Sequence, residues 1–309
     1  MAIFDETAAG VYVIAVTPFT EQGELDLDST DKMVDFYLER GVSGMTILGM
    51  MGEAPKLTNE ESQIFVKRVI QRVDGRVPII VGVSAAGFAQ MKELTDAVMN
   101  AGASGVMIAP PSNLKTDDQI YNYYVNTSKA IGKTTPFVLQ DYPLVTGVVM
   151  AVSVILKIVK NIPNCVCLKH EDWPGLAKIS ELRKASETGN TRHISILCGN
   201  AGLYLPEEMA RGGDGAMTGF SYPEMMVELV KAAKANKMDK VRDIFDAYLP
   251  LMRYEAQSTL GLAIRKYILA KRGCIATATL RAPAPKLSPQ DIAEIETLIE
   301  RQTEKLKNI

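Results

Sequence analysis

The sequence predicts an α/β fold, a (β/α)8 TIM barrel with a C-terminal helical extension. Three observations carry that expectation. Eight short β-branched or apolar runs alternate with eight longer amphipathic stretches up to residue 235. The units recur roughly every 30 residues, as expected when strand–helix units wrap a parallel sheet into a closed barrel. Beyond residue 236 the pattern is helical throughout.

The strand-like runs cover residues 11–17, 45–48, 78–83, 105–109, 136–140, 165–169, 194–198 and 215–218. They are continuous rather than alternating, which suits strands covered on both faces. The helical patterns between them cover 29–40, 58–73, 90–101, 117–131, 151–162, 175–185, 202–211 and 222–235. Gly41, Gly102 and Gly212 follow three of these stretches, where glycine accommodates a left-handed cap before the next strand. A doubly wound open sheet is the alternative. It lacks support because no G-x-G-x-x-G follows the first strand, where a dinucleotide site needs it.

The last segment reads as helices over 237–254, 259–272 and 288–307, with Ser288-Pro289 and Asp291 forming a helix start. The expected organisation is a catalytic barrel over 1–235 and a helical appendage over 236–309. Within the appendage, the proline-rich link Arg281-Ala-Pro-Ala-Pro285 reads as a rigid connector rather than a recognition peptide.

Composition narrows the function. The 309 residues are 47% hydrophobic and 23% charged, ordinary for a globular chain with a sizeable core. A net charge of −2 and 6% aromatic residues give no reason to expect nucleic acid or an acidic membrane as partner. The first residues carry no basic segment followed by an apolar run, and the longest apolar stretch, 147–159, is interrupted by Lys157. A cytoplasmic protein is expected. Cys165, Cys167, Cys198 and Cys274 sit in apolar surroundings, which suits reduced, buried thiols. On a regular strand Cys165 and Cys167 point the same way, without nearby metal ligands, so no metal is expected.

In such barrels functional groups project from the C-terminal ends of the strands. The sixth strand ends in Lys169, followed by Glu171. An amine closing an apolar strand is costly to bury unless something uses it, and burial favours its neutral, nucleophilic form. Alternatively, Lys169 has already emerged into solvent. Strand parity puts Glu171 on the same side, where it either shuttles protons or simply pairs with the lysine. After the second strand, Gly49-Met50-Met51-Gly52 lets backbone amides approach an anion. Glu53, mid-loop, reads as a structural tie. The fifth strand ends in Gln140, with Tyr142 on the same face either orienting a substrate or packing. Gly199 and Asn200 after strand seven and Thr218 at the end of strand eight complete the candidate substrate-binding set.

The order of G-x-x-G-E after strand two, P-x-x-T-G after strand five and lysine closing strand six resembles the dihydrodipicolinate synthase and N-acetylneuraminate lyase family. The resemblance covers nearly the whole chain. It implies a homotetramer doing class I lyase chemistry without cofactor or metal on a small 2-oxo acid such as pyruvate. It also makes Lys169 the Schiff-base residue and the Met50–Met51 backbone the substrate carboxylate site.

Five positions depart from the family pattern. Met50 and Met51 replace its hydroxyl pair, and Gln140 replaces the tyrosine ending strand five. The tyrosine after strand four gives way near Ser112, and Val145 stands for the synthases' arginine. A synthase using a Thr–Tyr–Tyr proton relay has lost all three members. The acids that bind polyols after strand seven in neuraminate lyases are absent too. Gln140-Asp141-x-Pro143 with Lys169-x-Glu171 resembles the L-2-keto-3-deoxyarabonate dehydratase branch. The expected activity is therefore dehydration of a 2-keto-3-deoxy (sugar) acid by Lys169, Glu171 and Gln140. An aldolase and a non-catalytic 2-oxo-acid-binding barrel are the alternatives.

Overall fold

Eight parallel strands pair in chain order and close on themselves, the first against the last. They are β1 (Gly10–Ile14), β2 (Gly44–Ile47), β3 (Ile79–Gly82), β4 (Gly105–Ile108), β5 (Phe137–Asp141), β6 (Cys165–His170), β7 (Ser195–Cys198) and β8 (Gly215–Ala216). The computed structural model describes residues 2–307 and 309; Met1 and Asn308 lie outside the described residues. Around the barrel run α1 (Leu27–Glu39), α2 (Asn59–Val73), α3 (Phe88–Ala101), α4 (Asp117–Ile131), α5 (Pro143–Thr146) and α6 (Val152–Asn161). They are followed by α7 (Leu176–Glu187), α8 (Leu205–Ala210) and α9 (Pro223–Lys234). Beyond the barrel, α10 (Met238–Glu255) packs on α9, and α11 (Gly261–Lys271) and α12 (Pro289–Leu306) pack on α10.

Local chemistry sets the helix starts. Thr58, Thr116 and Ser288 each accept the amide three residues on, and Glu61, Gln119 and Asp291 return the bond to the cap's own amide. These reciprocal boxes satisfy donors that a helix start otherwise leaves free. The helix expected over 202–211 is shorter. Asn200, Ala201 and Gly202 all take positive φ, so a 3-10 turn intervenes before α8. The short α5 was not anticipated; Pro143 opens it and Gly147 closes it in the left-handed region.

Two apolar layers result. The outer one lies between strands and helices. The inner one fills the barrel with Tyr12, Ile14, Ile80, Met107, Val138, Cys167, Leu197 and Met217. Phe4 and Ala8 close its N-terminal end, where Ser195 Oγ donates to the Ala8 carbonyl over 2.7 Å. The open end is the C-terminal one. Among the described residues, no helix is long and apolar enough to cross a membrane.

The expectation that Cys165 and Cys167 share a face is corrected here. Phe137 pairs with Cys165 but Val138 with Cys167, so Val166 is an extra residue in β6. The bulge breaks the two-residue alternation. Cys165 joins the outer layer and Cys167 the interior.

Burial pushes the thiols of Cys165, Cys167 and Cys274 up to about 12 and that of Cys198 well above its ordinary value. All four are free and buried. A thiol-specific reagent at neutral pH is expected to label none of them in the native protein and all of them in denaturant.

Candidate active site

Lys169 is the last inward-facing residue of β6 and is 5% exposed, so it has not emerged into solvent. Its register partners are Gln140 on β5 and Leu197 on β7. Glu171 follows just past the strand, its amide still donating to the Asp141 carbonyl over 2.9 Å. That last ladder bond keeps Glu171 extended, so its side chain returns to the face of Lys169. Lys169 Nζ lies 3.2 Å from Glu171 Oε2, and Gln140 Nε2 donates to the same oxygen over 2.7 Å. The three residues expected to do the chemistry therefore meet, all buried, directly above the apolar interior.

Gly199 makes room for them. A methyl group there would lie 2.1 Å from Glu171 Cγ and 2.7 Å from Oε1, so only glycine fits. Tyr142 is half-buried beside the triad. Burial first, and the Glu171 carboxylate second, push its phenol above the ordinary value. It thus stays protonated near neutrality and can donate that proton in a hydrogen bond to a substrate. Thr218 is buried, and its carbonyl accepts the Ile14 amide over 2.9 Å. Asn200 Nδ2 instead reaches the Asp172 carbonyl at 3.5 Å, tying the loop after β7 to the loop after β6.

The loop after β2 forms a 3-10 turn over Met50–Gly52. Gly52 and Glu53 donate their amides to the Gly49 and Met50 carbonyls, whereas the first amides of such a turn have no partner within it. A methyl group on Gly49 would touch Ile14 and Met107 at 3.5 Å, which places this glycine over the barrel interior. Met51 packs on that interior, and Met50 is 43% exposed. Leu48 takes φ +53°, and its carbonyl crowds β3 so closely that only glycine fits at position 82. Leu48, Glu53, Asn200 and Ala201 are four of the six non-glycine residues with positive φ among those described. All four flank the C-terminal openings of β2 and β7, and such strain gathers where a site must be held in shape.

Glu53 is a structural tie, although its partners are not the loop's own amides. Its Oε1 accepts Lys266 Nζ over 2.7 Å, and its Oε2 accepts Lys56 Nζ over 2.9 Å and the Arg281 amide over 3.1 Å. Lys266 also donates to the Thr17 and Thr279 carbonyls over 2.7 and 2.8 Å. Burial pulls its amine down to about 8 against the opposing pull of Glu53.

A second buried network escaped the sequence reading. Lys178 Nζ bridges Asp141 Oδ2 at 2.7 Å and Asp172 Oδ2 at 2.8 Å. Burial pushes the Asp141 carboxyl up, with Lys178 opposing. Behind Lys169, buried His170 Nδ1 lies 3.4 Å from Glu208 Oε1. Lys178 gave no signal because it sits in an amphipathic stretch where lysine is commonplace. Among the described residues, no group of three or more His, Cys, Asp or Glu side chains is arranged to hold a metal ion.

With this geometry in place, the relatives are informative. The dihydrodipicolinate synthetase family model matches residues 7–302. An L-2-keto-3-deoxyarabonate dehydratase of Azospirillum brasilense is 28% identical over 94% of each chain. A 4-hydroxy-tetrahydrodipicolinate synthase of Persephonella marina is 28% identical over 94% of this chain and 97% of its own. A crystal structure from Rhodopseudomonas palustris, described as a dihydrodipicolinate synthase, is 48% identical with a TM-score of 0.96, covering 97% of this chain and all of that one.

Removing Lys266 leaves Glu53 buried without its main counter-charge. Lys266→Met is expected to destabilise the fold by about 3–5 kcal/mol in urea unfolding. The double variant Glu53→Gln/Lys266→Met should recover most of that loss.

Proposed function

The chain belongs to the dihydrodipicolinate synthetase family, and from that premise we propose that it is a lyase that dehydrates a 2-keto-3-deoxy acid through a Schiff base on Lys169. The observation that carries this reading is the way Lys169, Gln140 and Glu171 share one oxygen. Both nitrogens address Glu171 Oε2, which leaves Oε1 beside Gly199, where no side chain competes for it. A carboxylate so held can pass a proton without a hydroxyl chain. Met50 and Met51 carry no hydroxyl at the positions where the family's relay begins.

Each step then has an agent. Lys169 Nζ adds to C2, and loss of one water gives the iminium, which acidifies C3. Glu171 takes a C3 proton, and the electron pair forms the enamine. The enamine expels the C4 hydroxyl, which leaves as water with a proton from Glu171. Hydrolysis of the iminium consumes one water and frees Lys169, so one water is lost overall. Gln140 does no acid–base work; it holds Glu171 and steadies the carbinolamine. The amides of Met50 and Met51 receive the substrate carboxylate, a role to which the methionine side chains are indifferent. Exposed Leu144 and Val145 after β5, with Met50, give the mouth an apolar rim. The substrate panel therefore spans sugar acids and 2-oxo acids with apolar tails.

Borohydride with pyruvate or a 2-keto-3-deoxy acid is expected to trap a covalent adduct on Lys169, located by mass spectrometry. Lys169→Ala should abolish it, and an adduct elsewhere would overturn the assignment. Glu171→Gln should still trap pyruvate yet lose about 10²–10⁴-fold in turnover. The product should be the substrate less one water; stoichiometric pyruvate with an aldehyde would mean aldol cleavage instead.

A further inference from the structure

Glu171 stands one residue beyond the end of β6, where a barrel strand ordinarily gives way to mobile loop. Its side chain is aimed by Gln140 and confined by Gly199, but those contacts act only if the backbone at 171 is fixed. The backbone is held on two sides. The Glu171 amide donates to the carbonyl of Asp141, the last residue of β5. The next residue, Asp172, is drawn inward to Lys178 on α7. The same ammonium binds the Asp141 carboxylate, so a single buried lysine joins the residue that receives the Glu171 amide to the residue that follows Glu171.

We propose that Lys178 is a positioning residue for the proton carrier. It staples the ends of β5 and β6 so that the Glu171 carboxylate stays at bonding distance from Lys169. Asp141 and Asp172 are the two anchors of the staple. Lys178 touches no reacting atom in this role; its ammonium is taken up by the two carboxylates. Misplacement of a reacting group by about 1 Å suffices to cost orders of magnitude in rate, so a staple of this kind is felt in turnover more than in imine formation.

The proposal rests on Glu171 as the proton carrier, and pyruvate is a probe that separates the two ideas. Borohydride trapping of pyruvate on Lys169 reports imine formation. Deuterium uptake into the pyruvate methyl group in D2O, followed by NMR, reports proton transfer at C3. The informative variant is Asp141→Asn/Lys178→Met, which removes the fully buried carboxylate together with its lysine and leaves only Asp172, a quarter exposed and open to water. It is expected to melt near the wild-type temperature, to trap pyruvate to the wild-type extent, and to exchange methyl protons at least about tenfold more slowly. Lys178→Arg, which can still span both carboxylates, should restore most of the exchange. Wild-type exchange in the double variant would overturn the positioning role and leave the Schiff-base reading intact. Equal loss of trapping and exchange would assign Lys178 a merely structural role and overturn the proposal too. Failure of the wild-type protein to trap pyruvate would overturn the Schiff-base reading, and this proposal with it.

Discussion

A lysine and a glutamate 3.2 Å apart, both about 5% exposed, set the terms for the whole mouth of this barrel. Burying such a pair costs several kcal/mol per ion unless the geometry is good and the remaining polar atoms are bonded. The layer beneath, with Ile14, Met107 and Val138, is predominantly apolar. Compensation must therefore come from the same level. Gln140 supplies a donor, Gly199 gives up its side-chain volume, and the β5–β6 register sets Gln140 opposite Lys169. Changing any of them leaves a buried charge short of a partner or short of room.

Much of this was legible in the sequence, because strands and barrel mouths obey short-range rules. Lys169 stood out as the one charge closing an apolar strand, and two-residue alternation carried Glu171 and Tyr142 to the right neighbourhood. The same alternation failed for Cys165 and Cys167, since a bulge at Val166 leaves no mark in composition. Long-range partners were invisible for a different reason. Nothing in the neighbourhood of Glu53 points to Lys266, and nothing around Asp141 points to Lys178. A lysine that is one of many on an amphipathic helix becomes special only when folding brings a carboxylate to it.

These two lysines have a common geometry. Each belongs to a helix outside the sheet, and each reaches past the strands to a carboxylate at the open end: Lys266 from α11 to the loop after β2, Lys178 from α7 to the end of β5. The shape of the mouth is thus held from outside the barrel as well as by the strands. The strained backbone at Leu48 and Glu53 persists because Gly82 admits it and Lys266 and Arg281 hold it in place.

The tie between Glu53 and Lys266 spans 213 residues of chain. On a ribosome, Glu53 leaves the exit tunnel long before the lysine that will neutralise it has been added. Through most of synthesis only Lys56, itself partly exposed, is at hand to pair with this carboxylate, and full burial without Lys266 is costly. The strands of the barrel are complete well before this debt is settled. The loop after β2 is consequently among the last parts of the molecule to set, and a nascent barrel with all of its strands still has an unfinished mouth.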